Sequence, residues 1–266
     1  MKVLVAVKEV VEIADDFEID GLDVAERYRE YDLNEWDEYA IEEAVRLAEG
    51  RDATDDEVVA VTIGPERTEE TIRMALAKGA DRAVRVWDDT VADAGYLDVG
   101  ATARLLAPVV EREDPDLVLT GVQAADDAHG STGVALAAAV GYEWAAVVNA
   151  LDLDDAAGVA RVRRELEGGV EELTEVDLPA VLTIQTGINE PRYASLRGIR
   201  AAQSKELAVR GLADLGLDGT AAESAVRPTA AAEPESESEA TVFEGSPDET
   251  AAQLAAVLRE AGVGAE

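Results

Sequence analysis

The chain has 266 residues, enough for one large domain or two modest ones with a sizeable core. Asp and Glu number 58 against 23 Lys and Arg, and the net charge of −35 disfavours DNA, RNA and anionic membranes as partners. The absence of cysteine excludes disulfide and thiolate chemistry, and a single histidine excludes a multi-histidine metal site.

Only four of the basic residues are lysine (Lys2, Lys8, Lys78 and Lys205), and the carboxylates run along the whole chain. Such a surface suits a saline interior, where counterions screen the repulsion; a merely acidic protein is the other reading. The apolar start of MKVLVAVKEV is too short for a signal peptide or a membrane span. A soluble, cytoplasmic protein without membrane insertion is expected.

Lys2–Lys8 is a near-continuous apolar run, which predicts a parallel strand buried on both faces. A polar, irregular stretch runs to about Asp32. Asn34 is the expected N-cap of a helix with Glu35, Asp37 and Glu38 in its first turn, apolar residues at helical spacing and Gly50 as its stop. Glu57–Ile63 predicts a second buried strand, Thr68 the cap of a second helix, and Arg82–Trp87 a third strand. Leu97–Glu111 reads as helix, with Pro108 expected to kink it or shift its end.

The stretch Asp116–Gly141, DLVLTGVQAADDAHGSTGVALAAAVG, follows. An apolar strand stops at Gly121, a polar loop covers Gln123–His129, and Gly130-Ser131-Thr132-Gly133 opens an alanine-rich helix. This order makes an anion site: unpaired N–H groups and the positive end of the helix dipole meet a backbone that glycine lets a phosphate approach. An ordinary strand–helix turn capped by Ser131 or Thr132 explains the same residues. Trp144–Leu153, Val159–Leu166 and Val170–Val176 predict strands, with a hairpin at Glu167-Gly168-Gly169. Pro179–Gln185 is a further strand, and Asn189–Ser204 a loop running into a short helix. Thr229–Thr241 is an acidic low-complexity linker, and Ser246 starts a last amphipathic helix.

Strands alternating with helices define an α/β fold, a doubly wound, mostly parallel sheet of Rossmann-like type with an added antiparallel hairpin and a C-terminal arm. The expected division is a nucleotide-binding domain over 1–207 and a linker with its helix over 208–266. Ligands bind such sheets at the carboxyl ends of the strands, here Lys8–Glu9, Ile63–Gly64 and Thr120–Gly121. Catalysis is poorly served. Asp127, His129 and Ser131 lie two apart on one loop and cannot line up as a triad. The glycines match neither the P-loop nor GxGxxG. Asp126 and Asp127 read as solvated loop carboxylates rather than a metal pair, and Trp36 as helix packing rather than a cofactor contact.

The pieces VLVAVK, LNEWDEYAIEEAVRL, VVAVTIGP, ETIRMALAKGADR, DLVLTGVQAADDAHGSTG and LPAVLTIQTGINEPRYASLRGI resemble the electron-transfer flavoprotein beta subunit family over almost the whole chain, in a haloarchaeal-like acidic version. The resemblance implies a heterodimer in which an alpha subunit carries most of the FAD site and this chain holds a structural AMP. It implies an electron carrier without catalytic residues of its own. Electrons would arrive from acyl-CoA dehydrogenases and related flavoproteins and leave to a quinone oxidoreductase, and the arm would pack on the alpha subunit.

Carried over by position, AMP would contact Ala6; Asn34, Glu35, Trp36 and Asp37; Ile63; and Gly121, Val122, Gln123, Ala124, Ala125, Asp126, Asp127, Ala128, His129, Gly130, Ser131 and Thr132. Trp36 is also a candidate flavin neighbour, and Ile13 stands where the family commonly has an aromatic. Leu196 matches a leucine that inserts into dehydrogenase partners; the other reading makes it a staple for the helix that follows. Of the basic residues that usually follow that leucine, AAQSKEL keeps Lys205. Members that bifurcate electrons bind FAD or a nicotinamide nucleotide instead, with a loop like GDTxQVG, whereas HGSTG is closer to the AMP type. A universal-stress-like ATP-binding module is the alternative from another class.

Overall fold

Alternate residues of the first strand, Lys2–Ala6 (β1), set the architecture: Val3 and Val5 pack in one apolar cluster and Leu4 in another. A strand that is apolar on both sides needs a layer on each face of its sheet. The computed structural model describes residues 1–51, 55–233 and 240–263. They form two compact units, Met1–Ala231 and Ala232–Glu266.

After β1 come β2 (Glu9–Ile13), β3 (Ile19–Asp20), β4 (Asp23–Val24), β5 (Arg29–Leu33) and helix α1 (Glu35–Glu49). Then follow β6 (Glu57–Ile63), α2 (Thr68–Lys78), β7 (Arg82–Val86), α3 (Asp89–Ala94), α4 (Val99–Glu113), β8 (Leu117–Gly121) and α5 (Thr132–Val140). The rest is β9 (Glu143–Asp154), β10 (Val159–Leu166), β11 (Val170–Asp177), β12 (Ala180–Ile184), α6 (Leu196–Ala202), β13 (Leu207–Arg210) and, in the second unit, α7 (Pro247–Glu260).

Nine strands form one sheet in the order β11-β10-β9-β12-β8-β1-β6-β7-β13. All neighbours from β9 to β13 are parallel, and the β10–β11 hairpin extends one edge antiparallel. Ile41 of α1 and Ile72 and Leu76 of α2 fill one face; Leu105 and Val109 of α4 and Leu136 of α5 fill the other. This is the doubly wound α/β sheet with a hairpin that the sequence predicts.

Several local expectations are corrected. The polar stretch before Asp32 is a second small sheet, β2 against β5, with β3 and β4 paired inside it. Thr68 lies inside the first turn of α2 rather than at its cap, and its hydroxyl donates to Glu9. α4 runs through Pro108 to Glu113, and Leu105, Leu106, Val109 and Val110 around the proline are all buried. That burial offsets the missing N–H. α3 was not foreseen; Asp88 caps it by accepting N–H bonds from Thr90 and Val91. β13 joins the sheet beside β7, and Leu212, Leu215, Ala221 and Ala222 are buried. Residues 208–231, expected in the linker, therefore belong to the first unit. Of the low-complexity run, positions 234–239 lie outside the described residues.

Candidate functional site

β1 and β8 are neighbours, but their helices leave to opposite faces: α1 packs in the first cluster and α5 in the second. Chains that diverge in this way open a crevice beyond the carboxyl ends of the two strands. A cleft of about 700 Å³ lies there, within the roughly 300–1,000 Å³ of small-molecule sites.

Its lining includes Ala6 from β1, Asn34 and Asp37 from the start of α1, and Ile63 from β6. It also includes Gly121, Val122, Gln123, Ala124, Ala125, Asp126 and Asp127, then Gly130, Ser131 and Thr132. Four candidates are not part of the lining. Glu35 points to solvent. Trp36 is half-buried, and its indole N–H donates to Gln185 Oε1 at 3.2 Å. Ala128 forms the loop apex at φ 51°, and His129 reaches Tyr96 instead.

Asn34 precedes α1 but does not cap it with its side chain. Its amide instead donates to Gln123 O at 2.9 Å and accepts from Ala125 N–H at 3.2 Å, tying the loop to the helix. Asp37, in the first turn of α1, accepts the Lys8 N–H at 2.7 Å and the Gly121 N–H at 2.9 Å. One carboxyl thus clamps the ends of β1 and β8. Burial pushes it up to about 7 against the pull of those N–H donors. A folded-state value above the ordinary ~3.9 makes the Asp37 contribution to stability complete below about pH 4, and it is lost as the pH rises through about 7. The melting temperature of the native chain relative to an Asp37→Asn variant is therefore expected to fall across that window. A constant difference would show that Asp37 is already ionised at the acidic end.

Lys8 Nζ pairs with Asp126 at 2.5 Å and Asp127 at 2.7 Å. Burial opposes its charge, but the two carboxylates outweigh this and hold the ammonium above its ordinary range. Both aspartates are thus engaged, and no group of three His, Asp or Glu suited to a metal occurs among the described residues. At the other end of the loop no side chain caps α5, because Ser131 Oγ donates to His129 O at 2.9 Å. The first-turn N–H groups and the Thr132 hydroxyl remain at the cleft. Gly130 sits there at φ 60°, a conformation glycine adopts without strain. Gly133 lets α5 approach the sheet: a Cβ there would meet Thr120 Oγ1 and Thr183 Cγ2, each at 2.6 Å.

Open N–H donors, a flexible glycine and an apolar floor (Ala6, Val7 and Ile63 at the strand ends, Leu106 from α4) suit a nucleotide with its phosphate on α5. Lys8 balances only one of its two aspartates, so the loop keeps a net negative charge and favours one phosphate over three. Tyr96 and Leu106 escaped the sequence reading, and Lys8 entered it only as a strand end, not as the ion-pair partner of the loop. Lys8 had a signal in its place directly after the first strand. Tyr96 had none, since folding alone brings it to a loop 33 residues away.

A doubly wound α/β protein with a ligand cleft at the reversal of its strand order is the class defined by this geometry. Residues 21–215 match the electron transfer flavoprotein domain. The chain belongs to the electron transfer flavoprotein family, to its beta-subunit branch. It is 48% identical over 265 residues to the electron transfer flavoprotein subunit beta of Methylophilus methylotrophus, covering 98% of each chain. The beta subunit of Bradyrhizobium diazoefficiens is 41% identical over 223 residues (83% of this chain, 86% of the relative). The human beta subunit is 40% identical over 222 residues (83% and 85%). This near full-length similarity sets aside the stress-module alternative. No described helix is long and apolar enough to cross a membrane.

Proposed function

We propose that the chain is one half of a heterodimeric electron transfer flavoprotein, holding a structural AMP and completing the flavin site of an alpha subunit. The carrying observation is the cleft, with the uncapped α5 N-terminus at its phosphate end. Gly130, Ser131 and Thr132 would hold the phosphate, and Ala6, Asn34, Asp37, Ile63 and the Gly121–Asp127 segment would surround the nucleoside. The FAD would supply the electron chemistry when bound, and this chain would contribute a wall for it; Ile13, the candidate contact, is 49% exposed at the end of β2, at the edge of the cleft lining. Electrons come from acyl-CoA dehydrogenase-type flavoproteins and pass to a quinone oxidoreductase. The arm of α7, with Leu254, Val257 and Leu258 partly exposed, packs on the alpha subunit.

Co-expression with an alpha subunit is expected to give yellow protein that releases AMP on denaturation. Gly133→Ala is expected to push α5 off Thr120 and Thr183, lowering AMP occupancy and costing about 1–3 kcal/mol of stability. Release of FAD or a nicotinamide nucleotide from the cleft would favour electron bifurcation and sink the simple-carrier reading.

A further inference from the structure

Four side chains from three parts of the chain meet in a row at the cleft. Lys8 Nζ, just past β1, contacts Asp127 Oδ2 at 2.7 Å. Asp127 Oδ1 accepts the His129 backbone N–H at 3.0 Å and lies 3.1 Å from His129 Nδ1. His129 Nε2 is 2.9 Å from the Tyr96 hydroxyl, in the turn before α4. The chemistry of the row is consistent. An Nδ1–H turned to Asp127 leaves the Nε2 lone pair to accept the Tyr96 O–H.

Both ends are anchored. Ser224 Oγ donates to Tyr96 O at 2.7 Å and accepts the Asp98 N–H at 2.9 Å, fixing the turn. Asn34 and Lys8 fix the loop on the other side. Between them Ala128 is held at φ 51°, a conformation a non-glycine residue keeps only when its surroundings impose it. Each contact is half-exposed and weak alone. Joined, they must break together for the loop to swing away from the cleft.

We propose that Lys8, Asp127, His129 and Tyr96 form a strap over the cleft that retains its nucleotide, with Tyr96 and His129 as positioning residues. The retention role rests on the AMP reading; the strap itself does not.

The test uses the full chain purified with its co-expressed subunit, and two readouts. One is the exchange of bound nucleotide against labelled AMP. The other is amide hydrogen exchange of the Gln123–Gly130 loop, which needs no assumption about the nucleotide. Tyr96→Phe keeps the ring and removes only the hydroxyl; His129→Ala opens the same contact from the loop side and removes the one to Asp127 with it. Each is expected to speed AMP exchange by about three- to tenfold, the worth of one hydrogen bond, and to lower loop protection, with the melting temperature nearly unchanged. The double variant is expected to do no more than His129→Ala alone, which already removes the Tyr96 contact together with the one to Asp127. Unchanged loop protection in both variants would overturn the strap. Lower protection with unchanged AMP exchange would overturn its retention role. A dinucleotide in the native complex would end the AMP reading, while loop protection would still decide the strap.

Discussion

Leu196→Ala is expected to slow acyl-CoA-driven flavin reduction by roughly ten- to hundred-fold, because burying one leucine is worth about 1.5–3 kcal/mol and each decade about 1.4. FAD content, AMP content and melting temperature are expected to stay nearly unchanged. Leu196 opens α6 and is 77% exposed, so truncating it removes little of the chain's own packing. The staple reading required it to be covered. The surrounding segment is firmly held. Arg192 binds Glu42 at 2.7 Å and Glu49 at 2.8 Å, Lys78 Nζ donates to Arg192 O at 2.8 Å, and Asn189 donates to Tyr39 O and Glu43. Ser195 caps α6 by accepting the Gly198 N–H at 3.0 Å. A residue presented on a fixed turn loses little entropy when a partner receives it. Lys205, the retained basic residue, is committed elsewhere: its Nζ donates to Leu76 O and Ala80 O at the end of α2. A lowered melting temperature with electron transfer intact in the folded fraction would overturn the docking role.

Raising KCl from about 0.01 M to 1 M is expected to raise the melting temperature by roughly 10 °C or more, as the Debye length shrinks from about 30 Å to about 3 Å and each kcal/mol gained is worth about 2–4 °C. With 58 acids against 23 bases, pairing alone cannot neutralise the surface. The cations are shared: Arg82 binds Glu57 and Glu113, Arg192 binds Glu42 and Glu49, and Lys8 binds Asp126 and Asp127. These short, partly buried contacts survive salt better than the long-range repulsion among the remaining carboxylates, so screening removes mainly the unfavourable part. A melting temperature that is flat or falling with KCl would show that the acidity is unrelated to a saline interior.

The sequence by itself determined the layers and the place of the site. Short continuous apolar runs such as Val3–Val5 and Leu117–Leu119, ended within a few residues by polar residues or glycine, read as strands covered on both faces, and helices of 3.6 periodicity between them supply the cover. Strand ends that carry glycine and polar loops mark where a ligand enters, and most of the residues named there do share one cleft. What the tertiary structure decided is everything set by partners far away in the chain. Periodicity reports which face of a residue is apolar, not which strand lies beside it. The insertion of β12 between β9 and β8, and the joining of β13 to β7, were therefore not legible. Asn34 has the composition of a helix cap, yet its side chain serves the loop, because the Gln123 carbonyl and the Ala125 N–H reach it only once β1, β8 and their helices are in place. The burial that pushes Asp37 up to about 7 likewise arises only after folding, when two strand ends close over a carboxylate that looks, in sequence, like any acid in the first turn of a helix.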